Sequence, residues 1–232
     1  MIINETNKLH VYLLAGVKTS TSIFTECMNK LTERLRDNGI DSSIEVLLPY
    51  GDMSRNLVKQ LIEVRSDLSN GRYARRIGGK YAYSKIKSSM PDGSRMLLIG
   101  HSGGGAAAYQ AARLIEAEQQ KADFRIVQIG SPRIPILPKL QHKVSYFHAV
   151  DQLGKGIDPI CRIGSWGGWH KAASYAIRWN HTKYSPGHVE GVPTMGGHAD
   201  YFRHEHPYID QDSICNLDKI MDRVYIWLKD WL

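Results

Sequence analysis

Gly100-His101-Ser102-Gly103-Gly104 is the stretch of this chain whose residue types and spacing point most directly to chemistry. A serine hydroxyl is a weak nucleophile until a base takes its proton and nearby N–H groups can receive negative charge. Glycines two positions to either side allow the serine to sit on a sharp, strained strand-to-helix turn, where a Cβ would crowd the backbone. The flanks suit such a turn. Met96-Leu97-Leu98-Ile99 is a short apolar run of the kind buried on both faces of a sheet. Ala106-Ala107-Ala108-Tyr109-Gln110-Ala111-Ala112 is a run of strong helix formers, whose N-terminal N–H groups would face the serine. Other glycine-rich motifs fit less well. The glycines at 100, 103, 104 and 105 do not fall at G-x-G-x-x-G, and no G-K-[ST] follows.

The elements that must hold this serine can be read along the chain. Leu9 to Gly16 reads as a strand ending in a turn. Thr19 to Ser22 offer caps for a helix with Phe24, Cys27, Met28, Leu31 and Leu35 on one face, closed by Asn38-Gly39. A strand over Ser43–Pro49 and a helix from about Ser54, with Leu57, Leu61, Val64 and Leu68 on one face, come next. Between Gly71 and Lys87 six basic residues (Arg72, Arg75, Arg76, Lys80, Lys85, Lys87) are interleaved with Tyr73, Tyr81 and Tyr83 and face no acid. This segment reads most plainly as a solvated helical face, with a lid edge or an anion site as the sharper alternative. Pro91-Asp92-Gly93 turns the chain into the strand before the serine.

Beyond it, Phe124–Gly130 and Val144–Val150 are further strands, the second ending at Asp151. Residues 152–197 are rich in Gly, Trp and His, including Trp166, Trp169, Tyr175 and Trp179, without clear periodicity. We read them as a lid or pocket wall containing one buried helix. The last element is a helix bearing Leu217, Ile220, Met221, Val224, Leu228 and Trp231 behind a Ser213 or Asp212 cap. The alternation predicts an α/β fold, a mostly parallel central sheet with helices on both faces, in a single domain over 1–232.

These residues resemble the α/β-hydrolases, and within them the lipase class 3 type. The carrying residues are Gly100-His101-Ser102-Gly103-Gly104, Gly130-Ser131-Pro132-Arg133-Ile134, Phe147-His148-Ala149-Val150-Asp151 and Gly197-His198, in order over about residues 95–200. The resemblance implies a Ser–acid–His chain order, with Ser102 as nucleophile. His198, approached by Met195-Gly196-Gly197, is the expected base; His188 is the alternative, ahead of His204 and His206. His101 adjoins the serine but points away from it, and His10 comes too early. Asp151, directly after its strand, is the expected acid, with Asp158 of Asp158-Pro159-Ile160 as alternative. The oxyanion donors expected are Gly103 and, after the first strand, Val17, with Lys18 possible.

Length and composition bound the rest. The chain has 232 residues, 42 % hydrophobic and 23 % charged, as expected of a soluble globular protein. No apolar run approaches a membrane span, and Met1–Thr6 lacks the layout of a secretion signal, so the expectation is a cytoplasmic protein. Cys27, Cys161 and Cys215 are expected to be reduced thiols rather than a disulfide frame. The net charge of +7 permits anionic partners, but no zinc-finger or RNP-like spacing points to nucleic acid. His204-Glu205-His206 does not match H-E-x-x-H, so no metal or cofactor is expected. The expected activity is serine-dependent cleavage of a small-molecule or lipid carboxylic ester. A thioesterase or amidase on the same machinery, or a hydrolase-like binding protein, is the alternative.

Overall fold

Alternate residues of the central strands feed two different cores, which is why these strands read as continuous apolar runs. The computed structural model describes residues 8–69, 71, 75–90, 94–118, 123–171 and 176–232. Within them run β1 (Leu9–Leu14), α1 (Thr25–Asp37), β2 (Ser42–Leu47), α2 (Leu57–Asp67), α3 (Ile77–Ser89), β3 (Arg95–His101) and α4 (Gly103–Glu118). There follow β4 (Phe124–Ile129), β5 (Val144–Val150), β6 (Gly168–Lys171), β7 (Ile177–Asn180), β8 (His188–Pro193) and α5 (Asn216–Leu228). Leu9, Val11, Leu13, Leu97 and Ile99 pack with α1 and α5 on one face of the sheet. Tyr12, Leu14, Met96 and Leu98 pack on the other face with Ala106, Ala107, Ala108, Ala111 and Ala112 of α4.

The main sheet has the order β2-β1-β3-β4-β5-β8, and each adjacent pair is parallel. Every strand therefore ends on the same edge, where an open α/β sheet places its site. Register brings Leu14 beside Gly100, His101 beside Ile129 and Val150 beside Pro193. The loops after β1, β3, β4, β5 and β8 thus converge.

Several expectations are corrected. Among the described residues the 152–197 segment holds no α-helix, only a 3-10 turn at Ile160–Arg162, the antiparallel β6–β7 hairpin and β8. β8 was not expected: Gly191 and Glu190 interrupt its apolar pattern. The cap of α5 is Cys215, whose sulfur accepts the Asp218 N–H, rather than Ser213 or Asp212. Much of the basic segment forms α3, where Lys87 pairs with Glu118 at 2.6 Å and Lys85 lies over the Tyr81 ring. Arg72, Tyr73, the Pro91–Gly93 turn and Tyr175 lie outside the described residues. Among the described residues no helix is long and apolar enough to cross a membrane.

Candidate active site

Ser102 stands between β3 and α4 at φ +56°, a left-handed backbone that a non-glycine residue adopts only when its surroundings enforce it. The glycines explain how. A Cβ at Gly104 would lie 2.0 Å from the Leu14 carbonyl oxygen, and one at Gly100 would lie 2.4 Å from the Gly104 carbonyl oxygen. The start of α4 can therefore press directly onto β1 and β3 and turn the serine outward. The loop after β1 reaches the same point: a Cβ at Gly16 would be 2.6 Å from the Ser102 Cβ.

Ser102 Oγ lies 2.9 Å from His198 Nε2, and His198 Nδ1 lies 2.8 Å from Asp158 Oδ2. The Asp158 side chain is fully buried. Its Oδ2 also accepts from the Tyr201 hydroxyl at 2.8 Å, and its Oδ1 from the Ile160 N–H at 2.8 Å. Burial alone would raise this carboxyl, but the His198, Tyr201 and Ile160 hydrogen bonds outweigh it and hold its pKa below the usual value. Gly130, at φ +57°, makes room: a Cβ there would meet the Tyr201 ring at 2.5 Å and Asp158 Oδ2 at 3.1 Å.

The structure places the expected acid away from His198. Asp151 closes its own turn, Oδ1 accepting the N–H groups of Leu153 and Lys155 at 2.9 and 2.8 Å. A short Asp side chain beside Gln152-Leu153-Gly154 finds these local donors first. Asp158, seven residues later, is the carboxylate brought to His198. The alternative base His188 is also elsewhere. It pairs in register with Ser145, whose Oγ is 2.8 Å from its Nδ1, and stacks on Trp227.

The His198 loop is held from two sides. His101 Nε2 donates to the His198 carbonyl oxygen at 3.1 Å, which fixes the His101 tautomer because a carbonyl can only accept. Burial, then the neighbouring His198, pushes the His101 pKa down to about 4. On the other side the buried Asn216 accepts the Met195 N–H at 2.9 Å and donates to the carbonyls of Met195 and Asp200 at 2.7 and 2.9 Å. Tyr201, Asn216 and this role of His101 are missing from the sequence reading. Only Tyr201, three residues after the histidine, carried a local signal.

Of the two expected donors near Ser102, Gly103 opens α4 and so presents an N–H at a helix N-terminus. Val17 follows Gly16 and lines the same cleft. The Lys18 N–H is engaged by Gln60 Oε1 at 3.1 Å, so Lys18 is not the donor. The cleft over Ser102 has a volume of about 750 Å³. Its apolar walls include Leu61, Val64, Ile160, Ile163 and Phe202. Lys18, Arg65 and Arg203 lie at its side, and among the described residues no acid lines it. None of the described residues of 71–87 lines it either, so α3 is not its edge.

The parallel six-stranded sheet flanked by helices is that of the α/β-hydrolase fold, and solved structures with TM-scores above 0.5 agree. Over 95 % of this chain and 90 % of theirs, it superposes on the RedJ thioesterase of the prodiginine pathway in Streptomyces coelicolor, with 12 % identity and TM-score 0.52. A second RedJ structure, with a polyethylene glycol molecule in its active site, matches over 99 % and 92 % at 13 % identity and TM-score 0.51. YbtT, a type II thioesterase of the yersiniabactin pathway, matches over 97 % and 94 % at 12 % identity and TM-score 0.47. No family model and no curated protein sequence matches the chain. At such identities the likeness defines the fold: this is an α/β-hydrolase fold.

Proposed function

We propose that the protein is a serine hydrolase that cleaves acyl ester bonds through an acyl-enzyme, with Ser102 as nucleophile, His198 as base and Asp158 as acid. The observation that carries this reading is the continuous row Ser102 Oγ–His198 Nε2, 2.9 Å, and His198 Nδ1–Asp158 Oδ2, 2.8 Å. Ser102 Oγ attacks the acyl carbon as His198 Nε2 takes its proton. The ionised Asp158 fixes the tautomer and stabilises the imidazolium. The N–H groups of Gly103 and Val17 receive the charge that develops on the acyl oxygen. His198 then protonates the leaving oxygen or sulfur. It next deprotonates the water that releases the acid and frees Ser102.

The cleft suits an apolar acyl group. An oxygen ester is favoured by the lipase-like G-H-S-x-G and G-S-P-R residues, and a thioester by the likeness to RedJ, a thioesterase. The test compares a p-nitrophenyl ester with an acyl thioester of equal chain length, in wild type and Ser102→Ala. Turnover of at least one substrate should fall by about 10⁴-fold or more in the variant. Equal turnover in wild type and variant would refute the assignment, and the ratio of the two wild-type kcat/KM values selects the bond.

A further inference from the structure

The two N–H donors assigned above come from separate segments, Val17 after β1 and Gly103 at the head of α4, yet both are tied to one loop after β2. Gln60 of α2 is completely buried. Its Oε1 accepts the Lys18 N–H at 3.1 Å, and its Nε2 donates among the carbonyls of Tyr50, Asp52 and Gly51 at 3.0, 3.0 and 3.3 Å. A buried primary amide is costly unless saturated, and this one is saturated by joining two loops. Lys18 adds a second tie, its Nζ donating to the Met53 carbonyl at 2.8 Å. Its backbone sits at φ +50°, so the segment following Val17 is strained and has to be held.

Tyr50 makes the matching link to the other donor. Its single hydroxyl hydrogen is shared between two buried acceptors, Asp67 Oδ2 at 2.7 Å and the Gly103 carbonyl oxygen at 3.0 Å. The ring covers Gly103 so closely that a Cβ there would lie 3.1 Å from the Tyr50 Cε2. The Tyr50 carbonyl accepts from Gln60 while the Tyr50 hydroxyl reaches Gly103. One residue therefore lies on the path from Lys18 to Gly103.

We infer that Gln60 and Tyr50 are positioning residues that fix the spacing between the Val17 and Gly103 donors, and so set the fit of the oxyanion hole to the reacting acyl oxygen. The inference rests on the serine hydrolase reading above. Neither residue is placed to touch the substrate carbonyl. Each acts through the backbone it holds, and a donor displaced by a fraction of an ångström loses much of its value.

The test uses Tyr50→Phe, which removes one oxygen, and Gln60→Leu, which removes the amide. Deleting an oxyanion donor outright costs about 10²–10³ in kcat, so loosening one should cost roughly 10–100-fold. We expect that loss in kcat with KM within about twofold. Affinity for an alkyl boronate, which forms a tetrahedral adduct on the serine, should fall in parallel, while affinity for the product acid stays level. The pH midpoint of kcat/KM should not move, because the Ser102–His198–Asp158 row is untouched. In Gln60→Leu the Lys18 amide should also exchange its hydrogen at least tenfold faster. Thermal melts confirm folding, and if Gln60→Leu does not fold, Tyr50→Phe decides alone. Folded variants with kcat within threefold of wild type, or with raised KM and unchanged kcat, would overturn the brace only. Absence of any Ser102-dependent turnover in the wild type would overturn the hydrolase reading and the brace with it.

Discussion

Asp158 and Asp151 are seven residues apart on one loop, and what separates them is where each finds its hydrogen bonds. Asp151 is satisfied within its own turn; Asp158 is buried among Tyr201, the Ile160 N–H and His198. Asp158→Asn should lower kcat by about 10³–10⁴, because an amide favours the wrong His198 tautomer. Asp151→Asn should stay within threefold, and steady-state kinetics of the two variants checks the ranking. Of the proposed catalytic row, Ser102 and His198 were legible from the sequence because local glycine patterns flag both. The proposed acid was not, since either aspartate satisfies the chain order and only the tertiary closure over Tyr201 brings Asp158 to His198. Gln60, Tyr50 and Asn216 left no signal, because a buried polar side chain that braces distant loops has no characteristic spacing.

At the scale of elements, the join of α4 to β1 and β3 is the least tolerant part of the fold. Gly104→Ala would drive a methyl to 2.0 Å from the Leu14 carbonyl oxygen, a backbone atom that cannot move aside. We expect a loss of about 3 kcal/mol or more in urea unfolding. The α2–α3 junction gives a pH-dependent prediction. Burial raises the Asp67 carboxyl to about 6, against hydrogen bonds from Tyr50 and the Gly78 and Gly79 N–H groups, with Glu63 adding to the rise. Between pH 4 and 6 the native state keeps a proton that the unfolded chain has lost, so stability falls as pH rises through that window. Asp67→Asn removes this dependence. Relative to wild type it should gain about 2–3 kcal/mol between pH 4 and pH 8; an equal difference at both pH values would contradict the assignment. β1, β3, β4 and β5 were legible as elements because both of their faces are buried. β8 was not, because it sits at the sheet edge with Glu190 and Gly191 in its course, and the expected helix in 152–197 gave way to the β6–β7 hairpin.

For the molecule as a whole, six parallel strands bring five loops to one edge, and the proposed nucleophile, base and acid come from three of them. The loop after β1 and the head of α4 supply the proposed oxyanion donors, and α2 supplies both an apolar wall and the proposed brace. The basic α3 stands apart from the cleft, so substrate capture should show little dependence on its charges. Replacing Lys80, Lys85 and Lys87 together by Gln should change kcat/KM for an anionic ester by less than twofold at low salt, whereas steering by α3 would give a larger, salt-sensitive loss. The central claim is that Ser102 is a nucleophile activated by His198. The most direct measurement is intact-protein and peptide mass spectrometry after treatment with a fluorophosphonate. One adduct per chain is expected, on the peptide containing Ser102, and it should be lost in folded His198→Ala. An adduct on another residue, or undiminished labelling in His198→Ala, would contradict it.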